Sequence, residues 1–134
     1  DATLNSGGVR IGTAEIYRVI ENLKEIIEGL AVEYKSHSDT EVILFVVTKK
    51  EKKLNNLLKN KLISKIKNEL SPKHVPSKIF SVSEIPKTRS GKIVEILIKN
   101  LINGEQINNM ETLTNPDCLI EYEKIYKSLK KNAQ

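Results

Sequence analysis

Six consecutive apolar residues, Val42–Val47, form the longest unbroken hydrophobic run in the chain. Val42, Ile43, Val46 and Val47 carry branched Cβ atoms, which lose side-chain freedom in a helix and favour extended backbone. The stretch Glu41–Thr48 is therefore expected to be a buried strand. No apolar run approaches the roughly 18 residues that a membrane-spanning helix needs.

The flanking sequence predicts the layers around that strand. Residues 1–12 (DATLNSGGVRIG) read as a turn-forming segment, because Gly7, Gly8 and Gly12 relax the backbone. Thr13 is expected to cap a helix, with Glu15 in its first turn. Ile16, Val19, Ile20, Leu23, Ile26, Ile27 and Leu30 continue at helical spacing, and Gly29 is expected to close that helix. Leu30–Tyr34 predicts a short strand that turns into Glu41–Thr48. Leu54, Leu58, Leu62, Ile66 and Leu70 mark a second amphipathic helix, ended by Ser71-Pro72. Ile79–Val82 predicts a further strand. Ile93, Ile96, Leu97 and Leu101 predict a third helix, ended by Asn103-Gly104. Residues 105–115 read as a polar loop, and Asn115-Pro116 opens a last helix with Leu119, Tyr122, Tyr126 and Leu129 on one face.

This order gives an α/β (α+β) domain, with a small sheet of about three strands packed with helices. The expected division is a Gly-rich segment at 1–12, a main domain at 13–104 and a helical C-terminal extension at 105–134. The length of 134 residues suits one modest core. With no initiator Met and no signal-like segment after Asp1, the chain is expected to be part of a longer protein.

Composition narrows the function classes. Cys118 is the single cysteine, and only His37 and His74 join it as soft ligands, so no zinc-binding spacing exists. A reducing, cytoplasmic setting is expected. The net charge of +5 admits an acidic partner. Yet Arg10, Arg18 and Arg89 are the only arginines, and aromatics are 4%. A basic nucleic-acid-binding module would need more stacking platforms. A docking role for the last helix is the other binding alternative.

The loop Pro86–Lys92 (PKTRSGK) is the chemically densest stretch. It is no P-loop, because Pro86 stands where the first Gly belongs and Ile93 follows the Lys in place of Ser or Thr. Gly91 still permits a tight turn, Thr88 and Ser90 offer hydroxyls, and Lys92 supplies a movable point charge beside a predicted helix start. The residues alone leave two readings open, a solvated turn or a site for a phosphate-bearing anion.

Two motifs narrow that choice. IPKTRSGK at 85–92 resembles the closing motif of the adenylate-forming acyl-CoA synthetases, and DATLNSGGVRIGTAEIY at 1–17 resembles their hinge motif. The resemblance covers residues 1–102, and the hinge stretch is most similar to the acetoacetate-activating branch. NPDCLIEYEKIY in the extension looks like the same branch.

The resemblance implies the C-terminal lid of an ATP-dependent acid–thiol ligase. Such enzymes join a carboxylate to AMP with release of pyrophosphate, then transfer the acyl group to CoA. By motif, Lys92 corresponds to the adenylation lysine, Asp1 to the hinge residue and Gly8 to a glycine beside the CoA arm. Arg10 corresponds to an arginine that reaches phosphate or supports the lid. Lys67 corresponds to an arginine that contacts a CoA phosphate, with the forked geometry lost. The implied substrates are ATP, CoA and a short-chain acid, with Mg2+ in the complete enzyme. The implied partner is a large N-terminal domain of the same protein, with no nucleic acid and no membrane. The lid alone is expected neither to hold ATP tightly nor to catalyse the reaction.

Overall fold

The computed structural model describes residues 3–37 and 39–132. Its centre is a three-stranded sheet of β3 (Ile26–Lys35), β4 (Thr40–Thr48) and β5 (Lys78–Ser81), in the order β3-β4-β5. β3 and β4 form an antiparallel hairpin, with Leu30 opposite Phe45. β5 runs parallel to β4, with Phe45 opposite Phe80, and α2 (Asn56–Glu69) makes the crossover. The Asn55 side chain accepts the Leu58 N–H at 2.9 Å and caps α2.

β4 is central and covered on both faces, which is why its sequence is a continuous apolar run. Val42, Leu44 and Val46 face one core with α1 (Thr13–Glu21), α2 and the N-terminal hairpin. Ile43 and Phe45 face a second core with α3 (Glu95–Ile102) and α4 (Leu119–Asn132). In that second core Phe45 meets Tyr122 edge-on, with centroids 5.0 Å apart. Residues 105–132 thus supply Leu113, Cys118, Leu119, Tyr122 and Leu129 to that second core.

Several boundaries differ from those the sequence predicts. The segment read as turn-forming holds a β-hairpin, β1 (Thr3–Ser6) and β2 (Val9–Gly12). Gly7 and Gly8, at φ 55° and 86°, form its two-residue turn. Leu4 and Ile11 point to the core, so the period here is two. Gly12 is the N-cap of α1, and Thr13 is its buried first residue.

The first helix ends at Glu21 rather than at Gly29, and the chain re-enters the sheet at Ile26. Gly29 lies within β3 opposite Val46. A Cβ there would overlap Ile20 Cδ1 and stand 3.2 Å from the Phe45 carbonyl oxygen. Gly29 lets α1 pack closely on the sheet. The stretch 105–115 is also more ordered than a polar loop, with a 3-10 turn at Met110–Thr112 and a β-bridge from Leu113 to Thr88.

Candidate functional site

The lysine loop is a short hairpin built on a buried stem. Ile85 and Pro86 are buried, and Lys87 and Ile93 form an antiparallel bridge. The Thr88 N–H donates to the Lys92 carbonyl at 3.2 Å, and the Gly91 N–H donates to the Thr88 carbonyl at 2.9 Å. Gly91 stands at φ 80°. A turn closed by one residue in the left-handed region is the geometry of a three-residue hairpin connection, and glycine adopts it without strain. Lys92 therefore follows a fixed turn on a paired backbone.

The loop's cations have different environments. The Lys87 ammonium is engaged at 2.6 Å by Glu28 on β3. Arg89 and Lys92 are exposed. Neither forms an ion pair among the described residues. Thr88 Oγ1 and Ser90 Oγ lie 3.1 Å apart, so the hydroxyls brace each other within the turn. Of the loop's charged groups, Lys92 and Arg89 are free to reach an anion brought from outside.

The remaining candidates lie elsewhere. Gly8 is exposed at the tip of the N-terminal hairpin, where its N–H donates to Asn5 Oδ1 at 2.9 Å. A Cβ at Gly8 would meet no atom within 4 Å, so the positive φ alone favours glycine within the chain. Arg10 is exposed on β2 opposite Asn5. Lys67 is exposed on the last turn of α2. Asp1 lies outside the described residues.

Gly8, Arg10 and Lys67 thus sit on elements packed against the first core, whereas the lysine loop and α3 belong to the second. The sheet separates them. The two groups are not one site on this chain but two surfaces on opposite layers.

One contact links those layers. The Tyr17 hydroxyl on α1 donates to the Glu95 carboxylate on the first turn of α3. It also accepts the Ala31 N–H at 3.0 Å, at the free edge of β3. Burial pushes the Tyr17 hydroxyl well above the usual phenol range, the Ala31 bond opposes this, and Glu95 adds to the rise. The sequence gives no warning of this contact, because Tyr17 and Glu95 are 78 positions apart.

A second set of residues that the motifs miss grips the stretch leading into the loop. The Lys87 N–H donates to Asn115 Oδ1 at 3.0 Å, and Asn115 Nδ2 donates to the Ile85 carbonyl at 3.0 Å and to Glu84 Oε1 at 2.9 Å. The Thr114 N–H donates to the Lys87 carbonyl at 2.8 Å. The sequence signal at Asn115-Pro116 is only that of a helix opener.

Surface hollows of about 310, 240 and 360 Å³ lie away from the loop, lined by residues such as Tyr34, Lys35, Lys78 and Leu129. Among the described residues no group of three or more His, Cys, Asp or Glu could hold a metal ion. No helix among them is long and apolar enough to cross a membrane.

Comparison with known proteins identifies the family of the chain. Residues 19–92 match the family described as the AMP-binding enzyme C-terminal domain. The chain is 44% identical over 119 residues to an acetoacetyl-coenzyme A synthetase of Rhizobium meliloti, covering 89% of this chain and 18% of that protein. It is 43% identical over 123 residues to an acetoacetyl-CoA synthetase of Caenorhabditis elegans, covering 89% and 17%. The solved acetoacetyl-CoA synthetase from Streptomyces lividans superposes with a TM-score of 0.82 at 34% identity, over 96% of this chain and 19% of that one. The chain spans less than a fifth of the length of these relatives. Their names fall in the branch that the hinge stretch resembles. The chain belongs to the AMP-binding enzyme C-terminal domain family.

Proposed function

We propose that this chain is the C-terminal lid of an AMP-forming acetoacetate–CoA ligase. On this reading residues 1–12 are the hinge segment with Asp1 as pivot, residues 13–104 are the lid and residues 105–134 its extension. The observation that carries the reading is the separation of Lys92 from Gly8, Arg10 and Lys67 onto opposite layers of the sheet. A lid used twice needs two such faces.

In the first half-reaction, the acid's carboxylate oxygen attacks the α-phosphorus of ATP, forming the acyl–phosphate bond as pyrophosphate leaves. The Lys92 ammonium, presented by the hairpin, donates hydrogen bonds to carboxylate and phosphate oxygens as charge gathers there. A preorganised donor of this kind contributes about 3–4 kcal/mol to the transition state, or roughly 10²–10³ in rate. In the second half-reaction the CoA sulfur attacks the acyl carbon and AMP departs. The opposite face then lies at the reaction centre, with Gly8 beside the CoA arm and the cationic Arg10 and Lys67 near phosphates. The large N-terminal domain supplies the acyl and nucleotide pockets, and any Mg2+ is held there or by the nucleotide. The isolated lid neither binds ATP tightly nor makes acyl-CoA. A cytoplasmic setting fits the lone, buried thiol.

The test uses the full-length enzyme with acetoacetate, acetate and longer acids, comparing wild type with Lys92→Ala. Acid-dependent AMP formation should fall by about 10²–10³. Thioester formation from preformed acyl-adenylate should be spared. Survival of both half-reactions would remove Lys92 from the chemistry, and preference for another acid would move the enzyme to a different branch.

A further inference from the structure

The segment that follows α3 wraps back and holds the stretch that leads into the lysine loop. From Ser83 to Lys87, five backbone groups are taken by residues 114–122. The Ser83 N–H donates to Glu121 Oε1 at 2.8 Å, and the Tyr122 hydroxyl donates to the Glu84 carbonyl at 2.7 Å. Asn115 then pairs with Ile85 and Lys87, Thr114 with Lys87, and Leu113 bridges Thr88. Thr88 in turn holds the Lys92 carbonyl. A continuous hydrogen-bonded path thus runs from the C-terminal extension to the backbone of Lys92. The family match ends at residue 92, so the gripping residues lie beyond the matched span.

Asn115 is the side chain on which this path turns. Its amide satisfies the Lys87 N–H and the Ile85 carbonyl, two residues apart, because a carboxamide carries its acceptor oxygen and donor nitrogen side by side. Its Glu84 contact and the helical turn at Pro116–Cys118 fix its orientation. The hairpin tip carries no apolar anchor of its own, because Arg89, Ser90, Gly91 and Lys92 are all exposed. Its geometry is therefore inherited from the stem.

We propose that Asn115 is a positioning residue that fixes the stem of the lysine loop, so that Lys92 enters the adenylation site in one geometry. This rests on Lys92 being the adenylation lysine, as proposed above. A displacement of about 1 Å in a catalytic group can cost on the order of 10²-fold in rate. Removing the brace should therefore lower catalysis without removing any group that touches substrate.

The experiment compares wild type, Lys92→Ala, Asn115→Ala and the double variant Asn115→Asp/Glu84→Gln in the full-length enzyme. The double variant keeps an acceptor for the Lys87 N–H and reverses the sense of the contact with residue 84, but leaves the Ile85 carbonyl without its donor. Asn115→Ala should lower kcat for adenylation by about 10- to 100-fold. KM for ATP and acid should hold within about threefold, and thioester formation from preformed acyl-adenylate should be unchanged. Amide exchange at Lys87 and Thr88 should quicken. The double variant should recover part of the adenylation rate, and it serves as the reporter if Asn115→Ala does not fold. Faster exchange with undiminished adenylation would overturn the proposal, as would an equal loss in both half-reactions. A failure of Lys92→Ala to impair adenylation would overturn the underlying reading as well. A loss in Lys92→Ala with none in either Asn115 variant would overturn this proposal alone.

Discussion

Tyr17 and Glu95 are hydrogen-bonded across the edge of the sheet, joining α1 on one layer to the first turn of α3 on the other. Tyr17→Phe removes the donor to Glu95 and leaves the edge N–H of Ala31 without its acceptor. A buried donor left unsatisfied costs about 1–3 kcal/mol. Denaturant unfolding should show a loss of this size with an unchanged slope. A variant as stable as wild type would mean that water replaces the hydroxyl at Ala31.

Gly29→Ala should be destabilising through contact rather than backbone strain. The new Cβ would press on Ile20 Cδ1, which is fully buried. Overpacking of this kind costs about 1–3 kcal/mol. Ile20→Val deletes the clashing methyl, so the double variant should be more stable than the two single losses predict. A double-mutant cycle measures that coupling, and simple additivity would place the damage at the Phe45 carbonyl instead.

Gly8→Ala should separate the two half-reactions in the opposite sense to Lys92→Ala. The substitution meets open space in this chain, although the positive φ costs about 1–2 kcal/mol. Thioester formation from preformed acyl-adenylate should fall by about 10-fold or more, while adenylation stays within about twofold. Equal rates in both steps would detach the hairpin tip from the CoA arm.

Alkaline stability should report the burial of Cys118. Burial first, then the charges of Glu84 and Glu121, pushes its thiol from 9.0 up to about 11. The folded chain holds this proton more tightly than the unfolded chain. The contribution is complete below about pH 9 and is lost as the pH rises through about 11. Tyr17 and Tyr122, also pushed up chiefly by burial, extend the loss to higher pH. Thermal unfolding between pH 8 and 11 should show this decline, and Cys118→Ala should flatten it. An identical pH profile in the variant would assign the decline to the tyrosines.

The chain's local chemistry is legible in one dimension wherever short-range rules act alone. The β-branched run at Val42–Val47 has only a buried strand to become, and the leucine spacing of α2 has only one face to bury. Gly91 closes a turn that the residues around it already require. Lys92 is recognisable for the same reason, since its motif is contiguous.

What the tertiary structure decides are choices between equally good local answers. Ile26, Ile27 and Leu30 continue the helical spacing of α1, yet pairing with β4 draws them into a strand and leaves Ile27 exposed. Gly29 reads locally as a helix stop, and becomes a close-approach site only once α1 lies on the sheet. Asn115 reads as the opener of a helix, while its second task depends on a backbone N–H 28 positions earlier. Hydrogen bonds across such separations have no period in the sequence, because the partners meet only after the core has closed. The sequence alone determines that a lysine loop exists; the packed core determines how it is held.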